Sequence, residues 1–149
     1  MPREGKGSAK DGRHYWLTPP ELLNELNSTF HFDFDPCPFP RPDGFDGLVQ
    51  PWGSSSYVNP PFGGPTAWVR KSIAEAAQGK RVVLVFPVYK WILEILQSPH
   101  LKEVRNLKDV KWCAIEDGKP GKGMGQHIAC FVLDGRPITS TIASPGGES

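Results

Sequence analysis

Apolar and polar positions along the chain change period several times, and each change marks an element. Thr18-Pro19-Pro20-Glu21 reads as a helix start, with Thr18 as cap, Pro19 in the first helical position and Glu21 closing a capping box. Leu22, Leu23 and Leu26 form a helical apolar stripe, and Phe30 follows just past its end. From Phe30 to Asp35 aromatic and polar residues alternate, as in a strand, until Pro36. Residues 37–54, rich in proline and glycine, read as a loop with a short turn around Leu48 and Val49. Ser55 to Asn59 is a short strand that ends at Pro60.

Pro65 opens a second helix. Its Trp68, Val69, Ile73, Ala76 and Ala77 share a face, and Gly79 stops it. Arg81 to Phe86 is a continuous apolar run, which suits a central strand buried on both sides. Tyr89 to Gln97 reads as a third helix with Trp91, Ile92, Ile95 and Leu96 inward. Val110 to Ile115 and Ile128 to Leu133 are two further strands, and the glycine-rich stretch from Asp117 to Gly125 makes them a long hairpin. No internal repeat is visible. Strand and helix alternate in the middle, so the order predicts a three-layer α/β sheet, parallel at the centre with antiparallel edge strands.

Composition narrows the class. The 149 residues suit one domain, here residues 14–134. Residues 1–13, with Arg3, Lys6, Lys10 and Arg13 among glycines, and residues 135–149, rich in Ser, Thr, Gly and Pro, read as flexible tails. A net charge of +1 neither requires nor excludes nucleic acid, because a local basic patch fits inside a balanced total. Three cysteines, Cys37, Cys113 and Cys130, without paired spacing argue against a disulfide framework and against a zinc site. The chain has no apolar stretch long enough for a membrane span and no apolar core for a signal peptide, so the cytoplasm is the expected compartment.

The chemistry concentrates in Asn59-Pro60-Pro61-Phe62. Ligands of open α/β sheets bind beyond the carboxyl ends of the strands, where this segment falls. The Asn59 side-chain oxygen and the Pro60 carbonyl are two acceptors, held by a stiff Pro-Pro link. Two acceptors suit the two hydrogens of an aromatic amine and leave its lone pair facing an electrophile. Phe62 offers a stacking face, worth roughly 1–3 kcal/mol per base. Catalysis there would rest on alignment and electrostatics rather than on a covalent intermediate. The same residues would also occur where Pro-Pro ends a strand and Phe62 fills the core.

The ordered companions of that motif carry a resemblance. Trp16-Leu17-Thr18-Pro19, Asp33-Phe34-Asp35-Pro36-Cys37, Asp46-Gly47-Leu48 with Trp52, Asn59 to Phe62, Trp68-Val69-Arg70-Lys71 and Val82 to Pro87 follow one another over residues 14–90. The set resembles the small phage-type (Dam-like) DNA N6-adenine methyltransferases. The resemblance implies a compact, truncated Rossmann-like class I methyltransferase fold, S-adenosyl-L-methionine as cofactor, adenine in DNA as substrate, and no metal. It assigns Asn59, Pro60, Pro61 and Phe62 to catalysis. Thr18, Pro19, Asp35 and Pro36 fall near the methionine part of the cofactor and Asp46 near its adenine. DNA contact would fall to Arg70, Lys71, Lys119 and Lys122, the target base being flipped out or unpaired. Cys37 reads as a packing residue and His127 as structural or solvent-facing, while His14 stays open.

The chain also departs from the pattern. Asp35-Pro36 is followed by Cys37-Pro38-Phe39-Pro40 rather than by a glycine-rich turn. The segment from Asp35 to Asn59 is too short for the two βα units that usually lie there, so no acidic residue is assigned to the cofactor ribose. Phe62 replaces the more common tyrosine. Two alternatives stay open: a glutamine-N5 or cytosine-N4 amino methyltransferase of the same fold, and a degenerate, non-catalytic nucleic-acid-binding module.

Overall fold

The computed structural model describes residues 13–61, 64–88, 92–123, 125 and 127–137. Its elements in chain order are β1 (Tyr15–Leu17), α1 (Pro20–Phe30), β2 (Ser55–Val58), α2 (Thr66–Ala77), β3 (Arg81–Pro87), α3 (Ile92–Leu96), β4 (Leu101–Lys108), β5 (Cys113–Ala114) and β6 (Ile128–Asp134). The fold is mixed α/β. A 4-stranded sheet has the order β2-β3-β6-β4, and a separate 2-stranded sheet pairs β1 with β5.

Strand β3 is interior, as its apolar run predicts. Val82 to Val85 are fully buried, and successive side chains feed opposite faces of the sheet. Val82, Leu84 and Phe86 join Val58, Phe131 and Leu133 beneath Trp68, Val69 and Ala76 of α2 and Ile95 of α3. Val83 and Val85 join Tyr57, Cys130 and Val132 beneath Leu26 and Phe30 of α1, with Trp112 alongside. Helices therefore lie on both faces, in three layers.

Orientation differs from the expectation of a parallel centre. Strands β2 and β3 are parallel, but β6 is antiparallel to both β3 and β4. The parallel part thus lies on one side of the sheet. Residues Asp33 and Phe34 extend it. The Asp33 amide donates to Ser55 O (2.8 Å), the Tyr57 amide donates to Phe34 O (3.0 Å), and Phe34 makes a parallel bridge with Ser56.

Three further expectations are corrected. The strand from Phe30 to Asp35 is reduced to that bridge, because α1 runs to Phe30 and the Asn27 side chain takes the Phe32 amide at 2.8 Å. Phe30 and Phe32 pack under Tyr57 and Phe34 on the opposite side, whereas a regular strand would keep all three on one face. At the start of α1, Pro19 is the cap position and no side chain caps it, so Thr18 is free for other work. The hairpin between 110–115 and 128–133 does not form: β5 pairs with β1, and β6 takes β4 as its partner. Strand β4 is the element the apolar pattern misses, since its inward positions include the ion-paired Glu103 and Arg105. The third helix is described only as Ile92–Leu96, and Tyr89 and Trp91 lie outside the described residues.

Parts of the expected tails are tied down. Arg13 pairs with Asp117, the Gly135 amide donates to Lys80 O (2.9 Å), and a Cβ on Gly135 would collide with the Ala76 carbonyl. Residues 1–12 and 138–149 lie outside the described residues.

Candidate active site

Three chain ends meet beyond the carboxyl end of the parallel strands. Strand β2 delivers Asn59, the bridge at Phe34 delivers Asp35 beside it, and the β1–α1 junction delivers Thr18 and Pro19. Pro60 and Pro61 are buried and Asn59 is half-buried. Phe62 lies outside the described residues.

The Asn59 carboxamide is held in one orientation. Its Nδ2 donates to the Trp16 carbonyl at 3.2 Å and lies 3.5 Å from Thr18 Oγ1. A carbonyl only accepts, so the atom facing it must be the nitrogen. Among the described residues nothing hydrogen-bonds Asn59 Oδ1 or the Pro60 carbonyl. Thr18 Oγ1 is 2.7 Å from the hydroxyl of Tyr57, two residues before Asn59 on β2. Tyr57 is 4% exposed, and burial raises its phenol well above the usual range, partly offset by the Thr18 hydrogen bond.

Asp35 accepts the Cys37 amide at 2.8 Å on Oδ1, which closes a turn across Pro36. Desolvation by surrounding protein pushes its carboxyl up to about 6, against the lowering effect of that amide. The residue is nonetheless open to water on one side. Burial likewise raises the Cys37 thiol, reinforced by the Asp35 charge, which leaves it a neutral packing group.

Asp46 belongs to the neighbouring loop. Its Oδ1 takes the Leu48 amide at 2.9 Å and its carbonyl takes the Val49 amide at 3.2 Å. Gly47 packs directly on Pro36, where a Cβ would collide with the Pro36 carbonyl, and Gly47 O takes the Trp52 indole N–H at 2.7 Å. Glycine is required here because no side chain fits between the two loops. The loop therefore stands beside Asp35, while the Asp46 carboxylate already serves its own turn.

Comparison with family models and with curated protein sequences returns no match to this chain. The functional reading thus rests on these residues and their geometry.

The predicted DNA contacts divide. Arg70 is exposed and pairs with Glu94, Nε to Oε2 at 3.1 Å. Lys71 is half-buried, 2.8 Å from the buried Glu75 and over the Trp52 ring, so its charge is already committed. Lys119 and Lys122 are exposed on residues 115–123, a loop that clasps β1. Glu116 takes His14 Nδ1 (2.8 Å), the Ile115 amide donates to His14 O (2.9 Å), and Gly121 lies against the Tyr15 ring. The acidic residues of this loop are paired with Arg13 and His14, which leaves its lysines as the outward charge.

A groove of about 590 Å³ separates this loop from α1 and is lined by Pro19, Glu21, Leu22, Val110, Cys113 and Pro120 among others. Of the predicted site residues it touches only Pro19. Among the described residues no group of His, Cys, Asp and Glu could hold a metal ion, and no helix is long and apolar enough to cross a membrane.

Three residues of this region escape sequence reasoning: Trp16, Tyr57 and Asp33. Trp16 acts through its carbonyl, which every residue has. Tyr57 reads as an ordinary strand residue. The Asp33 carboxylate fastens the start of β2 by accepting the amides of Ser54 (3.2 Å) and Ser55 (3.0 Å). Its alternation with the phenylalanines reads as strand pattern.

Proposed function

We propose that the chain is an S-adenosylmethionine-dependent methyltransferase acting on the N6 amine of adenine in DNA, built on a compact Rossmann-like framework. The observation that carries this reading is Asn59. Its nitrogen is turned inward to Trp16, which leaves its oxygen as an acceptor at the residue before Pro60. Placement beyond the parallel strands, next to Asp35 and Thr18, supports it.

The donor set fits the cofactor in part. Asp35 Oδ2 takes no hydrogen bond among the described residues, and a carboxylate suits the α-amino group of a methionyl moiety. Thr18, Pro19 and Pro36 would border that moiety, and the loop at Asp46 would border its adenine. When bound, S-adenosylmethionine supplies an electrophilic methyl group on sulfur. The chain's own residues do the rest. Asn59 Oδ1 and the Pro60 carbonyl accept the two amine hydrogens and so aim the nitrogen lone pair. Acceptor contacts also stabilise the positive charge that grows on nitrogen. Phe62 would stack on the base, and its proton leaves to water after transfer. Arg70, Lys119 and Lys122 would meet phosphates, with Lys71 the least available.

One observation favours a non-catalytic module instead: the loops beside Asp35 hold no glycine-rich turn, and the Asp46 carboxylate is taken by its own chain. Calorimetry with S-adenosylmethionine, followed by labelled methyl transfer to DNA, protein and cytosine substrates, separates the readings. Binding with transfer to adenine is the expected result. No heat at millimolar cofactor would sink the enzyme reading.

Cofactor binding should also depend on pH. With its carboxyl near 6, Asp35 is largely neutral at pH 5 and ionised at pH 7.5. Only the ionised form attracts an ammonium, so affinity should rise as pH increases through 6 and level off above it. In Asp35→Asn the affinity should be lower and flat across that range. A wild-type profile already flat from pH 5 to 7.5 would remove Asp35 from the cofactor site.

A further inference from the structure

We propose that Thr18, held by Tyr57, is a positioning residue that works with the Trp16 carbonyl to hold Asn59 as an obligate acceptor, so that the corner selects an amino edge of a base over an oxo edge. The choice of adenine as the base rests on the methyltransferase reading; the hydrogen-bond lock does not.

The argument follows the hydrogens. The Tyr57 hydroxyl is in the core, and its partner among the described residues is Thr18 Oγ1 at 2.7 Å; whichever hydroxyl donates, Thr18 Oγ1 keeps a lone pair. That lone pair faces Asn59 Nδ2 at 3.5 Å, while the Trp16 carbonyl faces the same nitrogen at 3.2 Å. Both amide hydrogens are thereby directed inward. Turning the carboxamide over would set Oδ1 against the Trp16 carbonyl, two acceptors at hydrogen-bond distance with no proton between them. The oxygen therefore points outward with both lone pairs available.

Selectivity follows from this polarity. An exocyclic amine donates to Asn59 Oδ1. A base carrying an oxo group at the same position presents lone pairs to lone pairs, and its carbonyl loses water without gaining a partner. A freely turning asparagine would accommodate either edge by presenting its nitrogen to the oxo group. Discrimination thus resides in the residues behind Asn59 as much as in Asn59 itself.

The test uses thymidine oligomers carrying a single adenine or a single hypoxanthine, with wild type, Tyr57→Phe, Thr18→Val and Thr18→Ser. Wild type should prefer the adenine oligomer by at least about tenfold. Thr18→Val, which removes the second acceptor of Asn59 Nδ2, should lower the ratio, mainly by tighter binding of the hypoxanthine oligomer; Tyr57→Phe, which leaves both acceptors in place, should lower it less, and Thr18→Ser should restore it. In parallel, NMR should find the Asn59 side-chain amide protected from solvent exchange in wild type and Thr18→Ser, and exposed in Thr18→Val. A variant that merely unfolds would lose both oligomers and its melting transition. Equal binding of the two oligomers by wild type, or an unchanged ratio in Thr18→Val, overturns the proposal. Protected amide protons and an adenine preference without any methyl transfer would uphold the lock and refute the enzyme reading.

Discussion

Under the methyltransferase function proposed for the chain, Asn59→Ala is expected to lower methyl transfer by roughly 10²–10³-fold, the range seen when a fixed transition-state contact is deleted. The substitution removes the one side-chain acceptor at the end of β2 and leaves the Pro60 carbonyl alone to orient the amine. Asp35 and Asp46 sit on separate loops whose hydrogen bonds do not involve Asn59, and Thr18, which meets Asn59 only at 3.5 Å, keeps its bond to Tyr57, so cofactor affinity should stay within about threefold. The split matters more than the loss. A fall in kcat with unchanged cofactor affinity assigns Asn59 to the reacting nitrogen. A parallel fall in both would mean that the whole carboxyl end of β2 has shifted. Activity equal to wild type would refute the assigned role.

The second large effect concerns stability and lies outside the candidate site. Glu75 is 2% exposed on α2 and accepts from Lys71 (2.8 Å), Lys80 (2.5 Å) and the Trp52 amide (3.0 Å). Burial by itself would raise its carboxyl; the two lysines and the amide outweigh that and hold it at about 2. Glu75→Ala leaves two half-buried ammonium groups and a buried amide without their acceptor. The expected loss is about 3–5 kcal/mol, or roughly 10 °C in Tm for a chain of this size. The sign with pH follows from the lowered value. The folded state holds this proton less tightly than the unfolded chain, whose carboxyl titrates near 4.5. Its stabilisation is therefore complete above about 4.5 and disappears as pH falls toward 2. Melting curves between pH 2 and 6 should show that acid limb in wild type and a weaker one in Glu75→Gln. Equal Tm values for wild type and Glu75→Ala at pH 7 would contradict this account.

The sheet's interior was readable from the chain because burial on both faces writes itself as an uninterrupted apolar run. Strands β3 and β6 have that form, and both are interior. The second helix was readable for a similar reason, since its apolar face is continuous from Trp68 to Ala76. Edges carry less information. Strand β4 is paired on one side only, and its half-covered face is served by Arg105 lying over the Phe30 ring, which looks polar in sequence. Partner choice was not readable at all. Residues 113–114 have strand character, but nothing local says that they join residues 15–17 rather than 128–133.

The site divides along the same line. Asn59, Asp35 and Thr18 were marked by side chains next to prolines, and they do converge beyond one end of the sheet. Their supports were hidden. A main-chain carbonyl at Trp16 and a strand tyrosine at Tyr57 decide which way Asn59 faces, and both depend on three-dimensional proximity across about forty residues. Asp46 shows the opposite case, a carboxylate marked by the motif whose hydrogen bond closes its own turn.

The position of β6 sets an order of events for the chain as it is made. The last of the described strands is inserted between β3 and β4, and the β1–β5 ribbon joins residues 15 and 114. Until residues 128–134 arrive, β3 and β4 have bare edges and no common partner. Such long-range closure slows folding and leaves apolar strands open to association with other chains. The domain therefore gains its cooperative structure only once residues 128–134 have been made, and a ribosome-bound chain stopped before Ile128 is the form most in need of a chaperone.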